Sequence, residues 1–142
     1  MNREIKFRAW DKSFEMMYEV DAIRFFDELI EVDNEADHQT DRLDKYELMQ
    51  YTGLKDKNGV EIYEGDILQR GDVMRSKYVV RYGDFVYSPD FHHEVDCLGW
   101  YFEEVGVNDK YKDPLPYLID MLDGCVIGNI FENPELLERD GE

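Results

Sequence analysis

The sequence contains few of the features that mark secreted, membrane or nucleic-acid-binding proteins. Of 142 residues, only two are cysteines and 16 are lysine or arginine, against 34 aspartates and glutamates, so the formal net charge is −18. Two isolated cysteines, Cys97 and Cys125, are typical of a reducing compartment. No run approaches the roughly 20 apolar residues of a membrane-spanning helix. The N-terminal residues also lack the apolar core of a signal peptide, so we expect a cytoplasmic protein with no membrane partner.

The shortage of basic residues argues against direct binding to nucleic acid, because such binding depends on neutralising phosphates with lysine and arginine. The excess of acids is spread along the chain: residues 1–71 carry 18 acids and 10 bases, and residues 72–142 carry 16 and 6. Self-repulsion of this kind keeps a protein soluble. Alternatively, the acidic surface attracts a basic protein partner, or imitates nucleic acid and occupies a host DNA- or RNA-binding protein.

Aromatic residues make up 14% of the chain, which predicts a folded protein because disordered chains are poor in them. Hydrophobic residues alternate with polar ones rather than recurring at helical spacing, which predicts strands. In residues 4–10, for example, Ile5, Phe7 and Ala9 point to one face. Residues 22–32 fit either one helix or two strands, and we favour strands at 22–26 and 29–32. Residues 33–44 are mostly polar and predict a solvated loop.

The rest of the chain is also divided by turn signals. The sequence Asp56-Lys57-Asn58-Gly59 predicts a tight turn, since Asn-Gly favours the type I′ conformation. The predicted strands lie at 46–52 (ended by Gly53), 61–63, 67–68, 78–82, 85–87 (after a turn at 83–84), 99–102 and 125–131. A short helical turn is predicted at 115–121 and a terminal helix at 134–138. We therefore expect an all-β fold in which several short strands form a barrel or a sandwich, followed by a short terminal helix.

The familiar catalytic and cofactor motifs are missing from the sequence. There is no Gly-x-Ser-x-Gly nucleophile elbow and no phosphate-binding Gly-x-x-x-x-Gly-Lys loop. Residues 33–44 faintly resemble a calcium loop, but His38 replaces the glycine required at position six and Asp44 the glutamate at position twelve. We therefore predict no catalytic residues, no cofactor and no enzymatic activity.

One segment, Asp90 to Cys97, is a weak candidate for a metal site. Asp90, His92, His93 and Cys97 carry carboxylate, imidazole and thiol groups, all of which bind zinc. Their spacing matches no ligand pattern, and adjacent histidines on a strand point in opposite directions. A solvated loop is the simpler interpretation, and a small metal-assisted hydrolase is the alternative.

The second half of the chain is polarised in charge. Basic residues concentrate at Arg70, Arg75, Lys77 and Arg81, whereas residues 82–142 hold 15 acids and 3 bases. The basic residues either balance nearby acids or belong to a self-complementary surface. The second interpretation predicts a homo-oligomer.

Three blocks of sequence together are specific to a family. They are Arg3 to Asp11 (REIKFRAWD), Met49 to Ile67 (MQYTGLKDKNGVEIYEGDI) and Val126 to Leu137 (VIGNIFENPELL). In this order they closely resemble the YopX family of phage and prophage proteins. The resemblance implies an all-β protein, with an N-terminal β lobe at 1–63 packed on a small SH3-like barrel lobe at 64–142 that ends in a short helix. It also implies a phage or prophage origin, and it implies no activity. We therefore expect a non-enzymatic module that acts through contacts with an unknown protein partner.

Overall fold

The structure, a computed structural model, describes residues 4–71 and 76–138. These residues are nearly all β, as predicted. The strands are β1 (Phe7–Asp11), β2 (Met16–Arg24), β3 (Leu29–Asn34), β4 (Asp37–Arg42), β5 (Tyr46–Lys55), β6 (Glu61–Tyr63), β7 (Asp66–Arg70), β8 (Lys77–Tyr87), β9 (Val95–Glu104), β10 (Asp113–Pro114) and β11 (Gly124–Asn129). One helix, α1 (Leu115–Asp120), lies in the predicted position, and 3-10 turns occupy Leu43–Lys45 and Pro134–Leu137.

The first sheet is antiparallel, with strand order β4-β3-β2-β1-β5-β6. Only Leu43–Lys45 connects β4 to β5, although three strands lie between them. Four strand spacings would separate the two by about 19 Å in a flat sheet, whereas the connection reaches about 14 Å at most. The sheet must therefore roll, and its inner face closes around a core of Ala9, Tyr18, Ile30, Val32 and Tyr46.

The second sheet has the order β10-β9-β8-β7-β11 and packs against α1. Its core consists of Ile62, Leu68, Tyr78, Val80, Phe102, Leu115, Leu118 and Ile119. Because Ile62 comes from β6, the first sheet contributes a side chain to the second core. The strand pairings between described residues do not form a closed ring in this sheet, so the SH3-like barrel is not confirmed. The lobe boundary at residue 63 stays a prediction.

Polar and aromatic contacts join the two sheets. Arg8 on β1 forms an ion pair with Asp66 at the start of β7, at 2.5 Å. Trp10 stacks on Phe131 with ring centroids 5.8 Å apart. Asp56, in the turn before β6, accepts a hydrogen bond from the amide of Val126 on β11. The outer face of β1 is therefore held against the second sheet.

Two predictions for the first sheet have clear outcomes. Residues 22–32 form the end of β2, a turn and most of β3, so the strand interpretation is confirmed and the helical one is wrong. The predicted loop at 33–44 is wrong, since it contains β4. That strand has no large apolar residue because it lies at the edge of the sheet, where charged side chains also discourage pairing with another chain.

Two glycines predicted to end strands lie inside them. Gly53 has a φ of 86° within β5, where the register with β6 shifts, so it forms a bulge rather than an end. Residues 83 and 84 do not form a turn, because β8 runs unbroken from Lys77 to Tyr87. Gly83 lies directly opposite Gly99 on β9, and backbone pairing continues through both residues.

The acidic groove

A groove of about 500 Å³ lies on the outer face of the first sheet. Strand register explains its composition, because Arg8 pairs with Glu19 across β1 and β2, and Glu19 pairs with Asp33 across β2 and β3. Directly opposed residues share a face, so the three side chains form one row. The groove is lined by Arg8, Met17, Tyr18, Glu19, Asp33, Asn34, Glu35, Glu61 and Tyr63. Four of these nine residues are acidic and one is basic.

The single arginine does not neutralise the groove, because its charge is already balanced. The guanidinium of Arg8 donates to the carboxylate of Asp66, whose side chain is only 2% exposed. It also lies over the ring of Tyr63, 4.6 Å from the centroid, in a cation–π contact. Burial raises the pKa of Asp66 from its ordinary value, although the nearby Arg8 opposes this shift. Arg8 thus acts as the structural floor of the groove.

One wall of the groove is β6. Glu61 forms an ion pair with Lys6, and hydrogen bonding to Glu61 raises the pKa of Lys6 above its ordinary value. Lys6 in turn lies 5.0 Å from the centroid of the Tyr51 ring. Burial raises the pKa of Tyr63, so the phenol stays neutral near physiological pH. This wall therefore presents a neutral ring and a carboxylate that already has a partner.

The opposite wall is the turn between β3 and β4. The side-chain oxygen of Asn34 accepts hydrogen bonds from the amides of Ala36 and Asp37, which fixes the turn. Glu35 lies at its exposed tip. Among the described residues, no lysine or arginine forms an ion pair with Glu19, Asp33 or Glu35. These three carboxylates give the groove its negative charge.

A group of possible cation ligands adjoins this wall. The ligand atoms of Asp21, Asp33 and His38 all lie within 4.8 Å of one another. Asp33 pairs with His38 across β3 and β4, and Asp21 lies at the bulge in β2. The Nδ1 of His38 is 3.3 Å from an oxygen of Asp21. Treating 34–37 as a hairpin turn rather than part of a loop would have revealed the Asp33–His38 pair in the sequence.

The four metal candidates from the sequence have a different arrangement. Asp90 accepts hydrogen bonds from the amides of His92 and His93, and its carboxylate lies 2.7 Å from the Nδ1 of His93. These bonds lower the pKa of Asp90. Cys97 lies on β9, where its thiol contacts the carbonyl of Val95. Among the described residues, no three of the four candidates bring ligand atoms within 4.8 Å of one another.

The sequence suggested that Arg70, Arg75, Lys77 and Arg81 belong to one self-complementary surface, and the structure does not test this. Arg75 lies outside the described residues. Arg81 forms an ion pair with Glu103 across β8 and β9, and Lys77 donates to the carbonyl of Glu138. The Arg81 contact balances an acid within the chain, whereas the Lys77 contact is made to a backbone carbonyl. The predicted homo-oligomer stays a prediction.

Comparison with known proteins identifies the family. The family model described as YopX protein matches residues 6–138. The crystal structure of protein EF1440 from Enterococcus faecalis is similar to this chain, with a TM-score of 0.59 and 29% sequence identity, and the match covers 96% of this chain and 100% of the other. No curated protein matches. No helix among the described residues is both long and apolar enough to cross a membrane. Because the family model spans nearly the whole sequence, the chain belongs to the YopX family.

Proposed function

We propose that this chain is a phage-derived, non-enzymatic module that acts in the bacterial cytoplasm by binding another protein through the acidic groove. The observation that carries the proposal is that three carboxylates lining a defined groove, those of Glu19, Asp33 and Glu35, form no ion pair with a lysine or arginine among the described residues. Carboxylates that form no ion pair within the folded chain keep their charge available to a binding partner.

The groove is also well suited to contact because its walls are ordered. Asn34 fixes the turn on one side, and the Arg8–Asp66 pair anchors the floor to the second sheet. A preorganised site loses less conformational entropy on binding than a flexible one. The similar structure from Enterococcus faecalis supports a bacterial setting.

Site-specific photo-crosslinking in bacterial cells tests this proposal. Ala36 is exposed at the rim and carries no charge, so replacing it with the photoreactive residue p-benzoylphenylalanine leaves the carboxylates intact. The matched control places the same residue at Glu135, which is exposed and lies outside the groove lining. We expect a discrete protein adduct from position 36 and none of that mass from position 135. The same adduct from both positions, or none from position 36, would contradict the proposal.

A further inference from the structure

The chemistry of the groove restricts the kind of partner that it accepts. Its volume of about 500 Å³ is in the range of small-ligand sites, which suits a short segment with long side chains rather than a folded domain. The lining supplies carboxylates on one wall and the phenol ring of Tyr63 on the other. Carboxylates attract guanidinium and ammonium groups. The Tyr63 ring already carries the guanidinium of Arg8, so it offers apolar surface for the stem of a long side chain.

The charge of the surrounding hairpin points to the same chemistry. No lysine or arginine occurs between Arg24 and Arg42, while this stretch contains seven acidic residues. Beside the groove, Asp21 adds a further carboxylate next to Asp33, and an oxygen of Asp21 lies 3.3 Å from the Nδ1 of His38. A ligand that reaches Glu19, Asp33 and Glu35 therefore meets a predominantly negative electrostatic field.

From this arrangement we infer that the groove binds an extended segment rich in arginine or lysine from the partner protein. Guanidinium or ammonium groups of the segment lie between Glu19, Asp33 and Glu35, and their stems pack over Met17 and Tyr63. Charge complementarity selects this occupant over neutral or acidic segments. The inference rests on the proposed function, because it names the partner chemistry for the same groove.

Fluorescence anisotropy with a labelled peptide of alternating arginine and valine tests the inference. The comparison peptide replaces each arginine with citrulline, which keeps the shape and removes the charge. The test variant is Asp33→Asn with Glu35→Gln. The control variant is Asp120→Asn with Glu135→Gln, which removes the same two charges at exposed positions outside the groove. All measurements include EDTA.

We expect the arginine peptide to bind and the citrulline peptide not to bind. The test variant weakens binding about tenfold, since each lost ion pair costs roughly threefold, while the control variant changes it less than twofold. Equal weakening by both variants would show that only the net charge matters and would overturn the inference. Binding that requires added Zn²⁺ in place of EDTA would also overturn it, because the Asp21–Asp33–His38 group would then hold a metal.

Failure of this inference differs visibly from failure of the proposed function. If position 36 crosslinks a discrete partner but the arginine peptide does not bind, the groove is a contact surface for a partner of other chemistry. If position 36 yields no adduct while the arginine peptide binds with the predicted variant pattern, the groove recognises cationic segments but serves no protein partner in the cell.

Discussion

Replacing Arg8 with methionine tests whether the buried ion pair holds the floor of the groove to the second sheet. Methionine keeps most of the stem, so the change removes the charge with little loss of packing. The side chains of Arg8 and Asp66 are 16% and 2% exposed, so both lie well below the surface. Removing one partner of a buried pair costs about 3–5 kcal/mol, and the partial exposure of Arg8 places the expected loss at ~3 kcal/mol.

The pH dependence of this loss has a definite sign. Burial raises the pKa of Asp66 in the folded state, so the folded protein binds this proton more readily than the unfolded chain. The folded protein therefore loses stability as the pH rises through this raised pKa and Asp66 ionises. Removing Arg8 raises the pKa of Asp66 further, because the nearby positive charge is lost. The difference in the free energy of unfolding between wild type and Arg8→Met should have its largest value at pH 7. It should shrink as the pH falls below the pKa of Asp66 in the variant.

Urea unfolding followed by tryptophan fluorescence measures these differences. A double-mutant cycle with Asp66→Asn isolates the pair, and the double variant should be more stable than Arg8→Met alone because no charge is left buried. Arg24→Met is the matched control. Arg24 pairs with Asp27 at an exposed turn, so its loss should cost no more than about 1 kcal/mol. A cost below ~1 kcal/mol for Arg8→Met at pH 7, without pH dependence, would refute the reasoning.

Three further substitutions test the packing, each by urea unfolding. Leu118→Ala should cost about 2–5 kcal/mol, because Leu118 is fully buried in the second core; a loss under ~1 kcal/mol would show that the core collapses around the change. Gly65→Ala should cost at least about 1 kcal/mol, since its φ is 85° and a Cβ would lie 3.4 Å from Ile130; an unchanged midpoint would argue against this backbone conformation. Phe26→Ser should change stability by no more than about 0.5 kcal/mol, because Phe26 is 99% exposed. A clear loss at this position would reveal a contact that covers the ring.

Local patterns in the sequence predicted the strands that have one buried face. The alternation in residues 4–10 identified β1, and the turn before β6 followed from Asp56 to Gly59. The sequence did not predict β4, because all six of its residues are polar and an edge strand of this kind has no hydrophobic alternation to detect. Gly53 and Gly83 were misassigned because a glycine ends a strand in some proteins and forms a bulge or a facing pair in others.

The groove could not be predicted from the sequence, because its residues come from separate segments. Arg8 and Asp66 are 58 positions apart, and nothing in either local pattern indicates the contact. The overall acidity suggested a basic partner, but the position of the charge depends on strand register. The candidates at Asp90 to Cys97 were adjacent in sequence, whereas the row of Glu19 and Asp33 arises from pairing between strands.

NMR mapping of the partner-bound chain tests the central claim most directly. The ¹⁵N-labelled protein is titrated with the protein captured from position 36, and amide shifts are compared between free and bound states. We expect the largest changes at Arg8, Glu19, Asp33 and Tyr63, which line the groove. Changes confined to the second sheet, with the groove amides unmoved, would contradict the account.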